Sequence, residues 1–203
     1  MSNMFNNFNL LKSRTNVPVS QVQFIPQFLH AHEINAVKEI AQNFSYQDAR
    51  IQGGNSDQNI ILRQSQIKWL EWNNANWWLY TKLMNKVDEL NTMLWNFELY
   101  GINEFIQYSE YVGDQSSRGH YDWHIDVGNE GLSSNRKLTI ECVLNGDYNG
   151  GEFSLLMGPS ENKVKLSAGD AVVYPSFLLN KIYPVISGTR TSIVSWVGGP
   201  SFK

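Results

Sequence analysis

The second half of the chain constrains its fold more than any other feature. From about residue 97 it breaks into short apolar or alternating runs: "FELYGI", "EFIQYSEYV", "HYDWHID", "KLTIECVLN", "GEFSLLM", "KVKLS", "AVVYP", "NKIYPV" and "TSIVSWVG". Between them stand "GDYNGG", "GPSENK", "SAGD" and "SGT", built from residues that close turns. Many short strands at this spacing specify a β-sandwich or jelly roll. The first half reads differently. Residues 21–44 predict a short strand and then a helix, with Ile34, Val37, Ile40, Ala41 and Phe44 at helical spacing. Residues 45–62 contain "QGGNSDQN" and predict a polar loop. A second helix is predicted over 75–95, with Leu83, Val87, Leu90 and Leu94 as its buried stripe and Trp77 and Trp78 at its start. The expected molecule is mainly β with flanking helices. It is one domain over 1–203, with supporting helices in 1–96 and a β core in 97–203 that carries the site.

Composition sets the remaining bounds. The chain has 203 residues, 42% of them apolar and 17% charged, which suits a globular domain with one sizeable core. A net charge of −3 supplies no basic field for nucleic acid or an anionic membrane. The seven tryptophans do not alternate with Lys or Arg as a single-strand stacking platform requires, so they are expected in the core. The opening "MSNMFNNFNLLKSRTNVP" has no apolar run that reads as a signal peptide, and no stretch approaches a membrane span. Cys142, the single cysteine, excludes an internal disulfide framework and a multi-cysteine zinc site. It is expected as a small buried hydrophobe in a reducing, cytoplasmic setting. His30 and His32 stand at the entrance of the first helix, as surface or capping residues.

The chemistry concentrates in "GHYDWHID", residues 119–126. On a strand, positions two apart share a face, so His124 and Asp126 project together with Cα atoms about 7 Å apart. An imidazole and a carboxylate that converge suit Fe(II), Mn(II) or Zn(II). His120 and Asp122 are expected on that face too, but His120 lies about 13 Å along the strand and needs a bulge or a turn to reach the same ion. By itself an H-x-D triplet is also what a polar face on a half-buried strand looks like.

Three stretches then carry a resemblance: "YDWHID", "RKLTIECVLNGDYNGGEFSLL" and "KVKLSAGDAVVYPSFLLNKIYPVISGTRTSIVSWVGG". Together they resemble the prolyl-4-hydroxylase-like branch of the Fe(II)- and 2-oxoglutarate-dependent dioxygenases, including small phage and bacterial members. The resemblance is densest from Phe105 to Gly199. It implies a double-stranded β-helix (jelly roll) core, Fe(II) as metal, 2-oxoglutarate as co-substrate, and ascorbate alongside them. It also implies a peptidyl proline or similar peptide, protein or small-molecule substrate, and an intracellular protein, phage-encoded in a bacterial host being one origin. His124 and Asp126 match the first two iron ligands. Arg190, in "GTR", matches the residue that pairs with the distal carboxylate of 2-oxoglutarate, as a planar guanidinium fork suits. Ser192 lies two residues on, on the same strand face. Tyr111 and Tyr121 stand near positions where the family sets a tyrosine against the co-substrate, and both also read as core aromatics. Glu152 in "GGEF" matches a family hallmark with a structural role, and Gly150 and Gly151 permit the turn before it.

One position departs. The family pattern places a histidine ten residues before the basic residue, and here position 180 is Asn, with no histidine after His124. Asn180 is therefore the candidate third ligand. Its amide oxygen can ligate weakly, a water can take the place, or the site is inactive. Glu141, alone in an apolar strand, is either a compensating carboxylate or substrate contact, or an edge residue facing solvent.

Overall fold

The alternating runs become strands of two facing antiparallel sheets. In the computed structural model, residues 22–49 and 62–201 are described. The strands before residue 100 are β1 (Gln23–Ile25), β2 (Gln47–Asp48), β3 (Arg63–Gln64) and β4 (Gln66–Leu70). Those after it are β5 (Gly101–Ile102), β6 (Ile106–Gly113), β7 (His120–His124), β8 (Arg136–Val143), β9 (Asn149–Gly150), β10 (Phe153–Met157), β11 (Ser160–Val164), β12 (Ala171–Pro175), β13 (Asn180–Ile182) and β14 (Val185–Gly198). Among the described residues the helices are α1 (Ala31–Ala41) and α2 (Trp77–Leu94), with a 3-10 turn at Gly131–Asn135.

The larger sheet runs β1-β12-β8-β14-β6-β4-β2, with β5 and β9 also paired to β14; the smaller runs β11-β10-β13-β7-β3. This is the expected jelly roll, with one addition. Strands from before residue 97 pair into both sheets, β1 on β12, β4 on β6 and β3 on β7. The division at 96/97 is not a boundary between sheets.

Period two on β8 separates two cores. Leu138, Ile140, Cys142 and Leu144 point to the helix side, where they join Ile34, Val37 and Ala41 of α1 and Leu79, Leu83 and Val87 of α2. Val143 points inward and packs with Phe153, Leu155, Tyr174 and Ile182 between the sheets. Cys142 is buried, as expected, and burial pushes its thiol up. At the start of α1, the His30 N–H donates to the Glu33 carboxylate at 2.9 Å, an acceptor near the helix N-terminus. Asn96 ends α2 in the left-handed region, at φ 52°.

Three expectations are corrected. The "SGT" break lies inside β14: Gly188, at φ 81°, lets the strand pass against Asp147, whose oxygen a Cβ would meet at 2.7 Å. "GPSENK" turns only at its first residues, and Ser160–Val164 forms the return strand on β10. Not every tryptophan is in the core, because Trp72 and Trp77 are 56% and 55% exposed and meet edge to face. Most of the predicted 45–62 loop lies outside the described residues, and its start, Gln47–Asp48, pairs with β4.

Candidate metal centre

The site lies between the sheets, in a cavity of about 590 Å³. Strand register decides what faces it. On the smaller sheet, His124 pairs with Asn180 and Tyr121 with Ile182, so two residues of β7 oppose the single Lys181 of β13. That is a β-bulge, and it shifts the alternation by one residue. Tyr121, not Asp122, therefore shares the His124 face. The two rings stack with centroids 3.4 Å apart and planes 10° apart. Asp122 pairs instead with Lys181 at 2.7 Å. Asp126 lies just past the end of β7, fixed by its N–H to Ser176 O at 2.9 Å and its carbonyl to Arg136 Nη1 at 2.9 Å.

Each candidate ligand has one end held by protein and one end left for the cavity. His124 Nδ1 lies 2.7 Å from Asp122 O, which leaves Nε2 facing Asp126 Oδ1 at 3.7 Å. Asp126 Oδ2 accepts from Thr139 Oγ1 at 2.9 Å and from the Tyr174 hydroxyl at 3.0 Å. Thr139 and Tyr174 are cross-strand neighbours on β8 and β12, so the larger sheet delivers both donors together. Burial lowers the His124 pKa, opposed by the Asp126 charge, which favours the neutral imidazole a metal needs. Burial, then Asp126, raises the Tyr174 phenol well above its usual range and keeps it a donor. Burial likewise takes Tyr121 to about 12.

This donor set fits a first-row divalent ion, with imidazole nitrogen and carboxylate oxygen close enough to share it and each oriented from behind. Asn180 is buried on the same cavity wall. Its Nδ2 lies 3.3 Å from His124 O and 3.4 Å from Leu178 O, leaving Oδ1 as the free end of the amide. Among the described residues no third His, Cys, Asp or Glu joins His124 and Asp126 in a metal-sized cluster. Glu141 therefore does not act as the compensating carboxylate, and it does not face solvent either: β8 is a central strand and Glu141 lines the cavity.

Tyr111 and Tyr121 both line the cavity. Arg190 and Ser192 do not. Arg190 is buried beside Ser192, with Nη1 donating to Oγ at 3.0 Å, but its Nη2 donates to Glu141 Oε1 at 2.7 Å and Glu141 stands on the wall in its place. The sequence reading missed Arg63. It is a buried cation on the cavity wall, 4.5 Å above the Tyr121 ring, whose Nη2 has no hydrogen-bond partner. Its signal was the alternating "LRQSQIKWL", which holds β3 and β4. Among the described residues no helix is long and apolar enough to cross a membrane.

Residues 106–198 match the 2OG-Fe(II) oxygenase superfamily. They are a 2OG-Fe(II) oxygenase domain. His124, Asp126, Glu141, Asn180 and Arg190 all fall inside it, while β1 to β4 and both helices precede it. A PKHD-type hydroxylase of Alteromonas mediterranea is 34% identical over 84 residues, 38% of this chain and 37% of that protein. One from Prochlorococcus marinus is 32% identical over 121 residues, 58% and 52% of the two chains. The matched stretch thus spans between about a third and just over half of these two relatives. Among solved structures, a Pseudomonas putida prolyl-4-hydroxylase superposes with a TM-score of 0.69 at 16% identity, covering 90% of this chain and 94% of that one. A Trichoplax adhaerens prolyl hydroxylase, in complex with a hypoxia inducible factor peptide fragment, gives 0.72 at 20% identity, covering 88% and 83%. These likenesses show that the oxygenase domain has the jelly-roll fold of that group.

Proposed function

We propose that this chain is a 2-oxo-acid-dependent Fe(II) dioxygenase of the 2-oxoglutarate type, acting on a prolyl or similar side chain of a peptide. The observation that carries the proposal is the pairing of His124 Nε2 with Asp126 Oδ1 at 3.7 Å, with the opposite atom of each side chain already held by protein. Bound Fe(II) would supply the site and the electrons for activating O₂. His124 and Asp126 would hold it, and Thr139 and Tyr174 keep Asp126 turned toward it. Asn180 stands where a third ligand is needed, offering an amide oxygen or room for water. A peptide substrate is supported by the Trichoplax enzyme, whose partner is a peptide, and by the open rim at Gly128, Asn129 and Glu130. Ascorbate and a cytoplasmic location belong to the same proposal, and the free, buried Cys142 suits a reducing compartment.

A second reading, a non-catalytic jelly-roll binding module, is favoured by Asn180 in the ligand position and by the closed Arg190–Glu141 pair. Anaerobic Fe(II) titration separates the two. The wild-type chain should bind Fe(II) and develop a visible charge-transfer band on addition of excess 2-oxoglutarate, and His124→Ala should lose both. Asn180→His should tighten Fe(II) at least ~10-fold, on the scale of changes around a metal ligand. A wild-type chain without Fe(II) affinity, and an Asn180→His variant no better, would leave the binding module as the reading.

A further inference from the structure

The Arg190–Glu141 pair is the part of the site that the proposed function does not use. The two residues are 1% and 4% exposed, among the most buried charges in the molecule. Arg190 is gripped from several elements: by Glu141 of β8 at 2.7 Å, by Ser192 of β14 at 3.0 Å, with the Tyr111 ring of β6 5.7 Å away. Tyr148, after β8, also faces it. Gly151, at φ +64°, leaves room for its stem; a Cβ there would lie 3.1 Å from Arg190 Cδ. Register makes the grip possible. Glu141 is level with Val194 across the ladder, and its side chain reaches along the inward face of β14 to Arg190.

Order from the cavity outward is what matters. Glu141 lines the cavity and Arg190 does not. A ligand held at His124 and Asp126 that reaches toward Arg190 meets the Glu141 carboxylate first. A second carboxylate in that place is repelled by the one already there. Displacing Glu141 would strand its own charge in a buried setting. An uncharged group faces neither penalty.

We propose that Glu141 determines which 2-oxo acid the cavity takes: it holds Arg190 away from a ligand's distal carboxylate and selects 2-oxo acids with an uncharged far end over 2-oxoglutarate. This rests on the reading that His124 and Asp126 hold Fe(II), because the 2-oxo acid end is anchored there. 2-Oxoglutarate remains a ligand, but a weak one that must compete with a side chain.

The test uses the full chain, and Fe(II) uptake is measured first under anaerobic conditions. A chain that takes up no Fe(II) removes the metal reading and this proposal with it. In the Fe(II)-loaded chain the visible band is titrated with 2-oxoglutarate and with 2-oxopentanoate, the same carbon chain with a methyl in place of the distal carboxylate. The wild type should bind 2-oxopentanoate at least as tightly. Glu141→Gln keeps the shape of the side chain and removes its charge, so the ratio of the two dissociation constants should move tenfold or more toward 2-oxoglutarate. Glu141→Leu repeats the measurement with the Glu141 bond to Arg190 removed and the Ser192 bond kept, and circular dichroism checks that each variant is folded. A wild type that prefers 2-oxoglutarate, or a loaded chain that takes neither acid, overturns the proposal without any variant. A ratio that moves less than threefold in every folded variant overturns it while leaving the metal reading standing. A move of threefold or more toward 2-oxoglutarate supports it.

Discussion

Asp126 has two carboxylate oxygens, and the protein occupies one of them. Oδ2 takes hydrogen bonds from Thr139 and Tyr174, and Oδ1 is left opposite the imidazole. Removing one donor should loosen the carboxylate without emptying the site. Tyr174→Phe is expected to weaken Mn(II) binding by ~10-fold, the lower end for partners of metal ligands. Its stability cost should be about 1.5–3 kcal/mol, that of one hydrogen bond to a charged group. Isothermal titration and urea unfolding would read the two separately. An unchanged metal affinity would mean that Thr139 alone orients Asp126. At this scale the sequence was legible where chemistry is local. The i, i+2 spacing of His124 and Asp126 and the ten-residue step from Asn180 to Arg190 could be read directly. The Glu141–Arg190 pair could not. The two residues are 49 apart in sequence and meet only through the register of β8 on β14.

Elements explain most of the other differences. α1 and α2 were legible because their buried residues repeat at helical spacing, and the helix boundaries fell within a few residues of expectation. β4 was not, because Lys68 sits in the middle of it. That lysine is buried, donates to Ala41 O at 2.8 Å and lies 4.0 Å over the Tyr46 ring, so a charged residue fills a buried position of the sheet, which the pattern reads as exposed. The two helices are tied by Lys82 to Glu33, at 2.6 and 2.7 Å. Burial raises the Glu33 pKa, but the hydrogen bonds from Lys82 and the His30 backbone outweigh it, and the net shift is downward. A lowered folded-state value means stability that is present above the unfolded value, about 4.3, and lost as pH falls through the folded one. Glu33→Gln should therefore be less stable than wild type at neutral pH by about 0.2–1 kcal/mol, the range for a partly exposed pair. The difference should shrink and vanish as the pH is taken below 4.3 and through the depressed value. Denaturant unfolding at a series of pH values checks this, and a difference independent of pH would locate the effect in packing instead.

The molecule as a whole is three layers: helices, the larger sheet and the smaller sheet. The middle layer serves both cores, since β8 sends Leu138, Ile140 and Cys142 to the helices and Val143 toward the smaller sheet. Strands from the first half of the chain close both edges of the larger sheet and one edge of the smaller. Loss of the first 96 residues would thus open one core and expose three sheet edges, at β12, β6 and β7, and residues 97–203 alone should not fold cooperatively. In the full chain, tryptophan fluorescence and far-UV circular dichroism should report one coincident urea transition. Leu83→Ala, in the helix-side core, should shift it by about 2–5 kcal/mol. Separate transitions by the two probes would show that the layers unfold independently. A β-sandwich or jelly roll was legible from turn spacing, and the resemblance narrowed it to the jelly roll, but the share of the first half in it was not legible, because pairing between distant strands leaves no local trace.

The bulge in β7 bears on how such a chain tolerates the gain and loss of codons. Two residues, Asp122 and Trp123, stand where a regular strand would hold one. Dropping a codon there restores plain alternation and still leaves Tyr121, His124 and Asp126 on one side. Dropping the codon for Ile125 puts His124 and Asp126 next to each other, on opposite sides, and ends their pairing. The stretch that carries the chemistry thus contains one position where length can drift across descendants and, two residues later, one where it cannot.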